Sequence, residues 1–478
     1  MNFSIIIYLL GWILNFESIF LAVPAITALI YGEKEGFAFL ITIGICLLLG
    51  LLITFRKPEK KSIYAKEGYV IVALSWIVLS FFGCLPFIIS GTIPSFTDAL
   101  FETVSGFTTT GATILSDVEI MPKCCLMWRS FTHWIVGMGV LVFIMVFLPL
   151  SGAQNMNIMK AESPGPSVSK LVPRVKNTAF ILYAMYFVLT VLLFIFLITD
   201  GNPVFDSINI AFATAGTGGF GIKNNSLAGY SDFTQIVTTV FMILFGVNFN
   251  VYFLLITGKI RDAFKSSEVK TYFAIIIIAV AIITLNTGNV FISLFDALKH
   301  ISFTVASIIT TTGFMTVDFN LWPELSRTVI VLLIFIGACA GSTGGGMKVS
   351  RFIILFKSLT KEIRLLIHPN HVKKLELDGH KIEHNVIRST NVYIVSYFLI
   401  FIISLLLISF DNHDLITNFT AIATTINNVG PGLNMVGPTS NFAFFSDTSK
   451  LVMIFDMLAG RLEIFPMILL FSPVTWKK

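Results

Sequence analysis

Thr310-Thr311-Thr312-Gly313-Phe314 is the third of four short runs of small and hydroxyl residues that end on a glycine, each set between two long apolar segments. The others are Thr108-Thr109-Thr110-Gly111-Ala112, Thr217-Gly218-Gly219-Phe220 and Asn427-Asn428-Val429-Gly430-Pro431. Their last glycines, Gly111, Gly219, Gly313 and Gly430, are 108, 94 and 117 residues apart. Self-similarity at such intervals marks one unit repeated four times with loops of different length. Four similar glycine turns between membrane spans are the parts of a fourfold ring around a pore.

The surrounding composition places this unit in lipid. Of 478 residues, 55% are hydrophobic and only 12% charged, and the mean hydropathy is +0.86. A soluble chain carries about 25% charged residues. The five cysteines (46, 84, 124, 125 and 339) are odd in number and scattered, so they imply packing and no disulfide framework.

A span needs about 20 apolar residues. Candidates are 5–30, 37–55, 69–90, 127–150, 178–199, 234–257, 270–286, 326–347, 390–410 and 450–471. The start, Met1 to Phe16, lacks a basic leader and a small-residue cleavage site, and reads as a retained span. With both termini cytoplasmic, the inner segments 56–68, 151–176, 258–270, 348–388 and 477–478 hold 24 of the 32 basic residues, as the positive-inside rule requires. The four glycine turns then all start from the outer face. Each follows a moderately apolar segment too short to span, such as Phe96–Phe107 or Phe295–Ile309. Non-helical backbone at membrane depth survives only where it lines water or protein. These stretches are therefore read as re-entrant pore loops, near 96–115, 203–222, 295–316 and 414–433.

A dehydrated cation needs oxygens in place of its water, and rings of backbone carbonyls supply them. Glycine adopts positive φ cheaply and puts no side chain in the opening. Pore helices ending at the ring would aim four partial negative charges at the cavity beneath. That electrostatics favours cations without separating potassium from sodium.

Further stretches add a resemblance. Ala161-Glu162-Ser163-Pro164-Gly165-Pro166, Gly341-Ser342-Thr343-Gly344-Gly345-Gly346-Met347-Lys348-Val349, Asn427 to Gly432 and Gly460-Arg461-Leu462-Glu463-Ile464-Phe465-Pro466 lie in order along the chain. Together they make it similar to the Trk/Ktr/HKT cation transporter superfamily, within it to the TrkH-type potassium uptake subunits. The resemblance implies an all-α polytopic membrane protein, with pseudo-fourfold span–pore loop–span repeats around a central pore, preceded by an extra helix pair. The expected units are 1–66 for the pair, then 67–176, 177–268, 269–386 and 387–478 for the four repeats. Glycine at all four filter positions accompanies potassium selectivity in that family. The expected filter residues are Thr110, Gly111, Gly218, Gly219, Thr312, Gly313, Val429 and Gly430, with potassium as permeant ligand and no cofactor. In the second repeat Gly218 and Gly219 compete, and Gly219 is favoured because Gly219-Phe220 registers with Gly313-Phe314.

Two features point to a gate. Residues 337–347 crowd five glycines, among them Gly341, Gly344, Gly345 and Gly346, where each costs a helix about 1 kcal/mol relative to alanine. Small-residue helix packing is one reading. An unwound loop beneath the filter is the other, and the resemblance supports it. Arg461 lies inside the last span, where an unpaired arginine costs ~3 kcal/mol or more. It reads either as a salt-bridge partner of Glu463 or Asp456, or as a positive barrier in the pore.

Other motifs fall away. Gly216 to Gly221 fits G-x-G-x-x-G without a preceding strand, and Gly341 to Lys348 only resembles a phosphate loop, because Met347 interrupts it. No nucleophile triad or paired carboxylates are evident in the spans, so no enzyme is expected. His368, His371, His380 and His384 are read as solvated, with a hairpin over 372–382 turning at Asp378-Gly379. The expectation is a bacterial inner-membrane potassium uptake protein of channel type, a sodium-permeable or proton- or sodium-coupled symporter being the alternative. The resemblance further implies a homodimer and a cytosolic nucleotide-binding regulatory subunit of the TrkA kind. Lipid is a partner and nucleic acid is not.

Overall fold

In hydrocarbon a backbone must satisfy its own polar groups, and helix is how a single segment does so. The computed structural model, which describes residues 1–59, 63–137, 175–288, 290–369 and 375–476, is helical nearly throughout. The extra pair is α1 (Phe3–Tyr31) and α2 (Gly36–Thr54), turned by Gly32 in the left-handed conformation at φ 68°. The first repeat runs α3 (Ala65–Gly83), α4 (Leu85–Ile89), α5 (Phe96–Phe107) and α6 (Lys123–Gly137). The second holds α7 (Val175–Thr199), α8 (Val204–Ala215), α9 (Asp232–Phe245) and α10 (Phe249–Ile256), and α11 (Ile260–Lys265) leads out of it. The third has α12 (Ser267–Asn286), α13 (Leu294–Ile309), α14 (Glu324–Phe335) and α15 (Val349–Ile367). A small antiparallel hairpin of β1 (Glu376–Leu377) and β2 (His380–Lys381) follows, turning at Asp378-Gly379 as the sequence predicts. The fourth repeat has α16 (His384–Ile408), α17 (Leu415–Ile426), α18 (Asp447–Arg461) and α19 (Phe465–Phe471), and α20 (Pro473–Trp476) ends the described chain.

Among the described residues six helices are long and apolar enough to cross a membrane, and α9 with α10 makes a seventh if their 90° bend is counted within one span. The chain is a multi-pass membrane protein. Between the spans, α5, α8 and α17 have 12 residues each and α13 has 16. At 1.5 Å per residue a 12-residue helix reaches about 18 Å, well short of a ~30 Å core. These are the re-entrant segments. Their starts are alike: Ser95, Ser293 and Asp414 cap the backbone N–H three residues on, and Asp98, Asp206 and Asp296 sit in the first turn, where a carboxylate complements the dipole.

The second spans of the second, third and fourth repeats depart from expectation. The predicted 234–257 is broken by the 90° bend, where Gly246 leaves α9 and Asn248 caps α10 by accepting from Asn250 N–H at 2.9 Å. A methyl at Gly246 would meet the Tyr272 hydroxyl at 2.4 Å, so the backbone packs closer than alanine permits. The predicted 326–347 stops being helical at Phe335, and 450–471 breaks after Arg461 at Glu463 and Ile464, both with positive φ. Hydropathy windows detect apolar length and are blind to such breaks. The motif at 161–166, the basic stretch 151–174, positions 138–150 of the fourth predicted span, His371 and positions 372–374 of the predicted hairpin lie outside the described residues.

Candidate functional site

All four re-entrant helices end in one motif. Thr110, Gly218, Thr312 and Val429 donate their N–H to the carbonyls of Ser105, Ala213, Ser307 and Thr424, five residues back, at 2.8–2.9 Å. Thr109, Thr217, Thr311 and Asn428 donate to the carbonyl three back, at 3.0–3.2 Å. This pair of bonds is a Schellman cap, whose left-handed position is ordinarily glycine. Here the residues at that position are Thr109, Thr217, Thr311 and Asn428, with φ 54°, 53°, 59° and 55°. A β-branched residue there is strained by roughly 1–2 kcal/mol. Three threonines in one strained conformation indicate that their hydroxyls are used.

Two residues on, Gly111, Gly219, Gly313 and Gly430 again have positive φ, at 77°, 75°, 83° and 94°. Their surroundings define a closed circle. A methyl on Gly111 would lie 2.1 Å from the Gly218 carbonyl oxygen, and one on Gly219 would lie 1.9 Å from that of Thr312. On Gly313 it would lie 2.3 Å from that of Val429, and on Gly430 2.7 Å from that of Thr110. Each turn therefore abuts the next, and the fourth returns to the first. The structure brings all eight sequence-predicted filter residues into this circle. It also separates the paired glycines of the second repeat. Gly219 is in register with the other three, whereas Gly218 is glycine because a side chain there would strike the His133 ring at 2.2 Å.

Behind the circle stands machinery that the sequence reading missed. Arg129 donates from Nε to Glu102 at 2.7 Å, with both side chains buried, and its guanidinium lies 4.1 Å over the Phe220 ring. One turn on, His133 packs against Phe220. A carbonyl only accepts, so Nδ1 carries the proton donated to Gly106 O at 2.8 Å, and Nε2 accepts the Phe220 N–H at 3.4 Å. The predicted fourth span began at 127, which put Arg129 at its edge, but α6 begins at Lys123. Spacing by four on one helix, Arg129-x-x-x-His133, was the available signal. Acidic groups are also buried in helices: Glu17 in α1, Glu102 in the re-entrant α5 and Asp456 in α18.

Beneath the circle, residues 336–348 form a loop, as the glycine crowding predicts. Gly337 N–H donates to Met347 O at 2.8 Å, closing its ends, and Gly341 and Gly346 have φ 70° and 67°. The loop is tied upward and sideways. Gly345 N–H donates to Thr311 Oγ1 at 2.7 Å, and Cys339 N–H donates to Gly246 O at 3.1 Å at the bend between α9 and α10. Lys348 Nζ donates to the carbonyls of Gly344 and Gly345. A methyl on Gly344 would meet Ala338 Cβ at 2.7 Å, and one on Gly345 would meet Asn427 O at 2.9 Å, so the loop fits tightly under the third and fourth turns.

Arg461 joins the same assembly as the last residue of α18. Its Nη1 donates to Thr109 Oγ1 at 3.1 Å and Thr343 O at 2.9 Å, and its Nη2 to Val136 O at 2.8 Å. The proposed salt-bridge partners are engaged elsewhere: Glu463 with Arg351, and Asp456 with the Ser404 hydroxyl at 2.8 Å. The strained hydroxyls of Thr109 and Thr311 therefore reach Arg461 and the loop. Thr311→Val keeps the shape but leaves the Gly345 N–H without its acceptor, a loss of ~1–3 kcal/mol. Faster cation flux through the reconstituted variant is expected, and flux equal to wild type would show that this bond does not hold the loop.

The comparisons with known proteins agree with this geometry. A family model described as "TrkH: Cation transport protein" matches residues 35–478. The chain is 35% identical to the Trk system potassium uptake protein TrkH of Salmonella typhimurium over 486 residues, covering 100% of each. It is 32% identical to TrkG of Escherichia coli over 483 residues, covering 99% of this chain and 98% of that one. The crystal structure of the potassium transporter TrkH from Vibrio parahaemolyticus superposes with a TM-score of 0.89, at 32% identity and full coverage of both chains.

Proposed function

The chain belongs to the TrkH family of cation transport proteins, and we infer that it takes up potassium through a pore whose filter is the circle of four glycine turns. One observation carries this reading: each filter glycine abuts the carbonyl of the next turn, all the way round. Carbonyls of Thr110, Gly218, Thr312 and Val429, with those of Gly111, Gly219, Gly313 and Gly430, replace the hydration shell of the ion. Four helix C-termini beneath them add negative potential. The driving force is electrical. An inside-negative potential of 100 mV supplies about 2.3 kcal/mol per cation, enough for roughly fiftyfold accumulation without an energy-coupling site in this chain.

The loop at 336–348 and Arg461 are the gate. Fluxes are lowest with the loop seated under the third and fourth turns, where Gly345 and Thr343 are held by Thr311 and Arg461. Opening withdraws the loop and takes its carbonyl contacts from the arginine. A cytosolic nucleotide-binding subunit would bias this equilibrium by binding the basic inner segments, and the protein would sit in an inner membrane as a homodimer with both termini cytoplasmic. Support for that orientation is the basic run of half-buried Lys357 and Lys361 and exposed Arg364 on α15, which favours the anionic cytoplasmic side.

Rubidium uptake into liposomes containing the purified protein tests the reading directly. Uptake that follows an imposed inside-negative potential, with a reversal potential set by potassium and little moved by sodium, is expected. Uptake that requires a proton or sodium gradient would replace the channel with a coupled symporter.

A further inference from the structure

The four joints of the circle are not equally held. Between the second and third repeats, Leu227 N–H donates to Met315 O at 3.0 Å, and between the third and fourth, Asn434 N–H donates to Asn320 Oδ1 at 3.0 Å. Between the first and second stands an ion pair, Glu102 with Arg129, whose side chains are 0% and 2% exposed. Its two members grip the strands just outside the filter. Glu102 accepts from the Thr113 hydroxyl and from Ile114 N–H, each at 3.0 Å, fixing the exit of the first turn. Arg129 donates from Nη1 to Gly221 O at 3.2 Å and covers Phe220, fixing the exit of the second. Thr113 extends the grip to the fourth repeat, because its carbonyl accepts from Phe442 N–H at 2.8 Å.

We propose that Glu102 and Arg129 are positioning residues for ion selection, setting how far the first, second and fourth turns can spread. This rests on reading the circle as the potassium filter. Ion pairs also link the second repeat to the third, Lys299 with Asp232, and the fourth to the first, Lys450 with Asp98. Their carboxylates are 61% and 26% exposed against 0% for Glu102, so solvent screens those pairs more and the first joint resists displacement best. Choice between two monovalent ions of one charge depends on the spacing and stiffness of the carbonyls. Loosening one joint lets the ring relax around either ion, and selection falls while conduction persists. The pair touches no permeating ion and acts through Thr113, Ile114, Phe220 and Gly221.

The test compares Glu102→Gln, Arg129→Lys and Thr113→Val in liposomes, reading the potassium-to-sodium permeability ratio from reversal potentials. Glu102→Gln removes the charge and keeps the shape. Arg129→Lys keeps the charge but cannot hold Glu102, Gly221 O and the Phe220 face together, since one ammonium lacks the planar fork. Both should lower the ratio about tenfold, which is about 1.4 kcal/mol of discrimination, while still passing potassium. Thr113→Val leaves the ion pair whole and should lower the ratio by a smaller factor. It decides the matter if the other two do not fold. A wild-type ratio in any of these variants that folds and conducts overturns the proposal. A wild-type protein that itself shows no preference for potassium would instead overturn the filter reading.

Discussion

Gly111→Ser is expected to bring the potassium-to-sodium permeability ratio close to one. The new Cβ would lie 2.1 Å from the carbonyl oxygen of Gly218, a distance at which one of the two backbones must move. That oxygen belongs to the neighbouring turn, so relief of the clash widens the circle at its first joint. The serine must also sustain φ 77°, which costs a non-glycine residue roughly 1–2 kcal/mol. Strain alone does not predict lost selection. Gly91→Ser separates the two effects: Gly91 has φ 73° with nothing within 4 Å of its Cβ position. It should lose stability and keep the wild-type ratio. Discrimination of a hundredfold corresponds to about 2.7 kcal/mol, within what displaced carbonyl ligands can forfeit. Equal ratios in wild type and Gly111→Ser would remove this glycine from the filter.

The second large effect concerns Arg461→Ala, which is expected to raise potassium flux through the protein alone by roughly tenfold to a hundredfold. Two losses add. The guanidinium bridges Thr109, Thr343 and Val136, so its removal unties the loop from the first turn and from the end of α6. It also removes a positive charge beside the path of a cation, where a unit charge at about 4 Å repels by ~4 kcal/mol at an effective dielectric of 20, an upper bound. Arg461→Lys divides the contributions, since lysine keeps the charge without the fork. Flux near that of the alanine variant would assign the effect to the ties, and flux near wild type to the charge. No rise in Arg461→Ala, with the protein folded, would dismiss the residue as a barrier.

Much of this architecture could be read in advance because it rests on local chemistry. A turn that needs positive φ and close approach leaves a glycine behind, and a span that cannot remain helical leaves several, as at Gly341, Gly344, Gly345 and Gly346. Such marks survive in one dimension. The joints between repeats leave none. Glu102 and Arg129 are 27 positions apart and meet only when α5 folds back against α6. His133 left only its spacing of four from Arg129, while four histidines between positions 368 and 384 drew attention because they cluster. The bend after Phe245 escaped for another reason. Its cause is the contact of Gly246 with Tyr272 and of Cys339 with Gly246, supplied from the third repeat.

That the circle closes within a single polypeptide has a genetic consequence. In a pore assembled from four identical chains, one altered codon is copied into every quadrant, and its effect is felt four times. Here each codon governs one quadrant, so Ala112, Phe220, Phe314 and Pro431 can differ without penalty to their counterparts. Ion preference in such a protein can drift by quarter steps, each small enough for selection to keep or discard.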